Sequence, residues 1–255
     1  MIKLLANRLR LYQKDFNMSS TANSPVRLYL MQVAALPPAS VPIVCYLIQT
    51  GDGKNILIDS GLPQNMPPMP DRPMPVMGKN VIEQLAQIGI QPTDIQLFVG
   101  THFDGDHAGN NELFPNAEFI VQRAHYDAAL TSPRFARSRS HWDQPTLHYR
   151  FVDGDTTLVP DVELIETSGH ATGHQSVLVR LPETGSVLLT IDAVMEQSRF
   201  VADVQASPMD ENETALCSST RKLIDLAEKE HAALIVFGHD AEQWKTLRKL
   251  PEFYS

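Results

Sequence analysis

Two histidines and two aspartates stand at positions 102, 104, 106 and 107, inside the stretch Thr101-His102-Phe103-Asp104-Gly105-Asp106-His107-Ala108-Gly109-Asn110. Imidazole and carboxylate are the ligand groups that zinc, iron and manganese accept. One such residue alone reads as part of a polar turn. Four within six positions read as a metal site. A second stretch, Thr167-Ser168-Gly169-His170-Ala171-Thr172-Gly173-His174-Gln175-Ser176, offers His170, and single residues are offered by Ile191-Asp192 and by Gly238-His239-Asp240. His102, Asp104 and His170 make one set of three ligands, and Asp106, His107 and His239 make another. Asp192 remains as a carboxylate that could span both. Three ligands and a bridge leave room for a water, as a catalytic site requires and a structural site does not.

Rigid elements must deliver these groups. Ile95-Gln96-Leu97-Phe98-Val99 has the length and residue types of a buried strand, and Gly100, Gly105 and Gly109 mark a sharply turning loop after it. Apolar strands likewise end at Asp59, His170, Asp192 and His239, which sets acids and imidazoles along one rim of a sheet. A charge on Asp59 at the end of a buried strand demands donors, either at the metal site or in the turn that follows. Further strands are expected over 26–33, 41–50, 55–61, 117–121, 158–166, 177–179, 187–191 and 232–237. Helices are expected over 80–88, 125–130 and 212–229. Residues 131–150, with scattered arginines and with His141 and His148 off any ligand spacing, read as a variable insertion. The segment 62–78 is rich in proline and carries Met66, Met69, Met74 and Met77. Proline forbids regular structure and methionine offers adaptable apolar surface, so this is a long loop that covers either a substrate or a partner subunit.

Composition narrows the function. A formal charge of −9 over 255 residues argues against nucleic acid, whose phosphates need clustered Lys and Arg. Cys45 and Cys217 are too few and too far apart for a disulfide framework, which points to the cytoplasm. Arg8 and Arg10 interrupt the apolar start, no cleavage pattern follows it, and no run reaches the ~18 apolar residues of a membrane span. The expectation is a flexible leader over 1–25 and a single domain over 26–255, soluble and not membrane-bound.

From about Val26 onward the chain resembles the metallo-β-lactamase superfamily, and within it the N-acyl homoserine lactone lactonases. The resemblance rests on His102, Asp104, Asp106 and His107 against the family's HxHxDH motif, and on Gly169-His170, Thr190-Ile191-Asp192-Ala193 and Gly238-His239-Asp240. Cys45-Tyr46-Leu47, Ile58-Asp59-Ser60-Gly61, Val121-Gln122-Arg123 and Gly173-His174-Gln175-Ser176 add to it. It implies a four-layer αβ/βα sandwich, a mixed α and β fold with metals at the sheet rims. It also implies two divalent transition metals, zinc foremost, and a bridging hydroxide that opens a lactone ring. By the same resemblance, Asp106 would also pass a proton to the leaving alkoxide.

Two departures stand out. Asp104 replaces the motif's second histidine, and a harder oxygen ligand shifts preference towards iron or manganese. Met195 stands where lactonases of this kind carry a tyrosine that contacts the substrate, and Gly105 replaces a bulkier residue, so both belong to a reshaped substrate pocket with the four loop methionines. The alternatives are a metallohydrolase of the same fold acting on esters, phosphotriesters or thioesters, and a non-hydrolytic iron-binding or redox protein. The expected partner is a small lactone or ester, with a homodimer possible.

Overall fold

The computed structural model describes residues 24–66 and 73–255. The leader expected over 1–25 therefore lies almost wholly outside the described residues, and Met69 lies outside them too.

Alternation of apolar side chains decides the architecture. In β2 (Val41–Thr50), Val44, Tyr46 and Ile48 face one way while Ile43, Cys45 and Leu47 face the other, and all six are buried. A strand with period-two alternation and both faces apolar must be covered on both sides. β2 belongs to a seven-stranded sheet with β1 (Pro25–Leu36), β3 (Asn55–Ile58), β4 (Val76–Met77), β5 (Leu97–Val99), β6 (Glu118–Gln122) and β7 (His148–Val152), in the order β4-β1-β2-β3-β5-β6-β7. A five-stranded sheet is built from β8 (Thr156–Val159), β9 (Val162–Glu166), β10 (Gln175–Leu181), β11 (Gly185–Ile191) and β12 (Leu234–Phe237), in the order β12-β11-β10-β9-β8.

The inner faces meet through Tyr46, Ile48, Ile58 and Val99 on one side and Leu164, Val177, Leu189 and Val236 on the other. Each such side chain contributes about 1.5–3 kcal/mol by leaving water, which makes a polar substitution at an inner position costly. Helix α1 (Val81–Gln87) packs Val81 and Leu85 on the outer face of the larger sheet. Asn80 and Glu83 close a capping box at its start. The shorter helices α2 (Arg123–Ala129) and α3 (Arg139–Trp142) follow, and α4 (Glu213–Lys229) lays Leu223 and Ala227 on the outer face of the smaller sheet. The result is helix, sheet, sheet, helix: the four-layer sandwich.

Strand direction places the site. β3, β5, β6 and β7 are parallel, as are β11 and β12, so the carboxyl ends of each set open on one rim. Parallel sheets bind ligands outside those ends.

The segment 131–150, read from the sequence as a variable insertion, carries regular structure. This segment holds a 3-10 turn (Pro133–Phe135), α3 and the edge strand β7. Its Trp142 is fully buried and stacks on Phe103, with ring centroids 4.5 Å apart and planes at 7°. The segment therefore braces the loop that carries His102. It had no legible period because its fixing contacts are aromatic and long-range.

Candidate metal centre

The loop after β5 carries His102, Asp104, Asp106 and His107, the loop after β9 carries His170, Asp192 follows β11 directly, and His239 follows β12 after Gly238. The fold brings all seven together. Asp192 lies between two groups. Its Oδ2 is 3.8 Å from His102 Nε2 and 3.4 Å from His170 Nε2. Its Oδ1 is 3.3 Å from His107 Nε2 and 3.1 Å from His239 Nε2. Asp104 Oδ2 completes the first group at 3.3 Å from both His102 and His170. Asp106 Oδ2 completes the second at 3.8 Å from both His107 and His239. The ligand atoms of His102, Asp104 and His170, and those of Asp106, His107 and His239, each fall within a 4.8 Å cluster.

Each imidazole is aimed by its other nitrogen. His239 Nδ1 lies 2.7 Å from the Pro42 carbonyl, His107 Nδ1 lies 2.9 Å from Asp59 and His170 Nδ1 lies 3.0 Å from Asp210. Carbonyl and carboxylate only accept, so the Nδ1 atoms carry the protons and the Nε2 atoms present lone pairs to the centre. The same logic reaches His102 through Thr101. The Thr101 hydroxyl donates to Asp59 Oδ2 at 2.7 Å, which leaves its oxygen to accept from His102 Nδ1 at 3.1 Å. Burial pushes the pKa of His102 down to about 3, so that ring is neutral at physiological pH. Asp59, whose donors were uncertain from sequence, is thus the partner of the metal loop.

These residues fit a cation. His102 Nε2, His107 Nε2 and Asp192 Oδ1 are buried and make no hydrogen bond. Buried polar atoms are rarely left so, and three converging ones ask for a positive charge among them.

Glycine makes the second loop possible. Gly169 has φ +141, and a Cβ there would overlap Leu216 N and Cα in the first turn of α4. The Gly169 carbonyl accepts from Glu211 N and Asn212 N, which fixes that helix end against the loop bearing His170. Gly169→Ala adds both backbone strain and overlap, and is expected to destabilise the fold by roughly 2–4 kcal/mol in denaturant titration. An unchanged midpoint would mean that the loop repacks freely.

The pocket residues are spread more widely. Met66 packs against the outer core of the larger sheet, whereas Met74 and Met77 are exposed, with Met77 on the edge strand β4. The 62–66 end of their loop is bound to the metal loop: Asn110 Nδ2 donates to Leu62 O at 2.8 Å, and Gly61 pairs with Ala108. A Cβ at Gly105 would meet open space. Met195 accepts a hydrogen bond from His239 N through its carbonyl.

Sequence reasoning missed Asp210 and Arg134. Asp210 is held by Ser207 N and Oγ, both at 2.7 Å, and lies 40 residues from the histidine that it orients. No local pattern marks either residue.

Comparison with known proteins settles the family. The model of the metallo-beta-lactamase superfamily matches residues 40–239. The chain belongs to that superfamily. Within it, the chain is 36% identical over 234 residues to the N-acyl homoserine lactonase AiiA of Bacillus thuringiensis subsp. kurstaki, covering 86% of this chain and 91% of that one. It is 33% identical to the N-acyl homoserine lactonase AttM of Rhizobium radiobacter, covering 90% of this chain and 99% of the other. Among solved structures, a single-site mutant of AiiA from B. thuringiensis with N-decanoyl-L-homoserine bound at the active site superposes with a TM-score of 0.80 at 30% identity, covering 91% of this chain and 100% of that one. An N-acyl homoserine lactone hydrolase with N-hexanoyl-L-homoserine bound at its catalytic metal centre gives 0.79 at 30% identity and the same coverage. The metallo-beta-lactamase fold implied by the sequence is thus the fold found. Among the described residues no helix is long and apolar enough to cross a membrane.

Proposed function

We propose that this chain is a metal-dependent hydrolase that opens N-acyl homoserine lactones or closely related lactones. We assign two divalent transition metals to it, one held by His102, Asp104 and His170, the other by Asp106, His107 and His239, with Asp192 shared. The observation that carries the reading is the Asp192 carboxylate, whose two oxygens face two separate histidine groups, each holding one Nε2 atom, of His102 and of His107, that is buried without a hydrogen bond. The lactonase relatives support the substrate class.

Divalent ions so held make water nucleophilic at neutral pH and polarise a carbonyl oxygen. The chain's own residues do the rest. Asp59 and Asp210 fix the tautomers of His107 and His170, so both rings enter the reaction already oriented. Asp106 is the carboxylate suited to proton transfer. Its side chain is 27% exposed, against 5% for Asp192, so it can reach a departing alkoxide while Asp192 stays among the histidines. The open space beside Gly105 and the replacement of tyrosine by Met195 favour an acyl preference of this chain's own.

The test is turnover of a homoserine lactone series of increasing acyl length by protein purified without chelators. We expect hydrolysis that stops on chelation and returns with added metal. If the 62–78 loop lines the pocket, kcat/KM rises with acyl length, each methylene contributing up to about 0.8 kcal/mol, and polar substitutions at Met66, Met74 and Met77 flatten the rise. A rise untouched by those changes assigns the loop to a partner subunit instead. Turnover of simple esters or phosphotriesters with no lactone opened at any length would sink the substrate assignment.

A further inference from the structure

Arg134 stands inside the first ligand group. Its guanidinium has five N–H donors, and all five are used there. Nε donates to Asp104 Oδ1 at 2.9 Å, and Nη2 donates to Asp104 Oδ2. Nη1 donates to the carbonyls of His170 and Met209, both at 2.8 Å. The remaining Nη2 hydrogen meets His170 Nε2 at 2.7 Å. That contact is decisive, because His170 Nδ1 is committed to Asp210 and its Nε2 lone pair is the one a metal would take. Nη2 therefore covers two of the three ligand atoms of the first group, Asp104 Oδ2 and His170 Nε2. Only His102 Nε2 is left without a partner.

The second group differs. Among the described residues no arginine or lysine forms a salt bridge with Asp106 or Asp192. Asp104 explains the asymmetry. A histidine at that position would offer a guanidinium no carboxylate to fork, whereas Asp104 gives Arg134 a bidentate partner.

We propose that Arg134 is a built-in cation that competes with metal for the first subsite, so that the second subsite fills first and the first fills only as the guanidinium withdraws. This rests on reading the cluster as a two-metal centre. The single His170 Nε2 lone pair cannot serve both a metal and the Nη2 hydrogen, so at that atom each cation excludes the other. At Asp104, Arg134 neutralises a largely buried carboxylate.

The test is zinc binding to the metal-stripped full-length chain, measured by calorimetry and by competition with a chromogenic chelator, for the wild type, Arg134→Met and Arg134→Gln. Two unequal steps are expected in the wild type, the weaker at the first subsite. Both variants should tighten the weaker step by roughly tenfold or more and leave the tighter step within about twofold. The metal-free variants should melt below the wild type and gain more Tm on saturation with zinc. Equal affinities in the wild type would overturn the proposal, as would a weaker step that loosens or stays unchanged in the variants. In that last case Arg134 merely orients Asp104, and the two-metal reading survives. Failure of the wild type to bind zinc at all would remove both readings.

Discussion

Asp106→Asn is expected to lower kcat/KM for an unactivated lactone by about 10²–10⁴, the usual contribution of a positioned proton donor or acceptor. Asparagine is nearly isosteric and its carbonyl oxygen can still face His107 and His239, so most of the ligand geometry persists. It cannot carry a proton. Asp106 is the most exposed of the three carboxylates at the centre, which gives it a path to the leaving oxygen that Asp192 and Asp104 lack. The leaving group separates its two roles. An alkoxide needs a proton as it departs, whereas a phenolate from an aryl ester does not. If Asp106 delivers that proton, the deficit with Asp106→Asn should shrink sharply on an aryl ester. An equal deficit on both substrates would leave Asp106 a metal ligand only, and zinc content measured beside the rates would fall with them.

Asp59→Asn is expected to have the second large effect, although Asp59 touches neither metal nor substrate. Its side chain is about 1% exposed and accepts from Thr101 N at 2.9 Å, Thr101 Oγ1 at 2.7 Å and His107 Nδ1 at 2.9 Å. Its φ of +58 is one that asparagine tolerates, so the backbone need not change. An amide replaces one acceptor oxygen by a donor and meets three donors in a dry site. His107 escapes the clash by moving its proton to Nε2, and that movement removes a ligand lone pair from the second group. We expect zinc affinity at the second subsite to fall by about 10–100-fold, as loss of an outer partner does. Stability should fall by about 1–3 kcal/mol from the unsatisfied donors. Unchanged zinc affinity in a protein of lower Tm would make Asp59 purely structural.

Asp59 and Arg134 mark how much of this protein was legible in its chain. The candidate ligands of the loop after β5 could be read directly, because four side chains within six residues on one tight turn must converge whatever surrounds them. The sandwich was nearly as legible: strands such as Val41–Thr50 are apolar on both faces, and only a layer on each side can dry them. Asp192 and His239 were legible by a weaker signal, the acid or imidazole at the end of an apolar run. Their meeting at one end of the smaller sheet rests on the parallel pairing of β11 with β12, which no local residue encodes.

Tertiary structure alone decided the surroundings of the ligands. Asp210 reaches His170 because α4 starts against Gly169, a contact between segments 40 residues apart. Arg134 is one of several arginines in a stretch without period, and nothing in its neighbours distinguishes it from Arg137 or Arg139. It enters the first ligand group because Phe135 and Trp142 bury themselves behind Phe103 and fix the turn that carries it. Short-range covalent spacing can assemble a ligand cluster, and a sequence displays that spacing openly. The charge that balances the cluster is set by through-space packing, where a single guanidinium 30 residues away from Asp104 becomes its nearest cation.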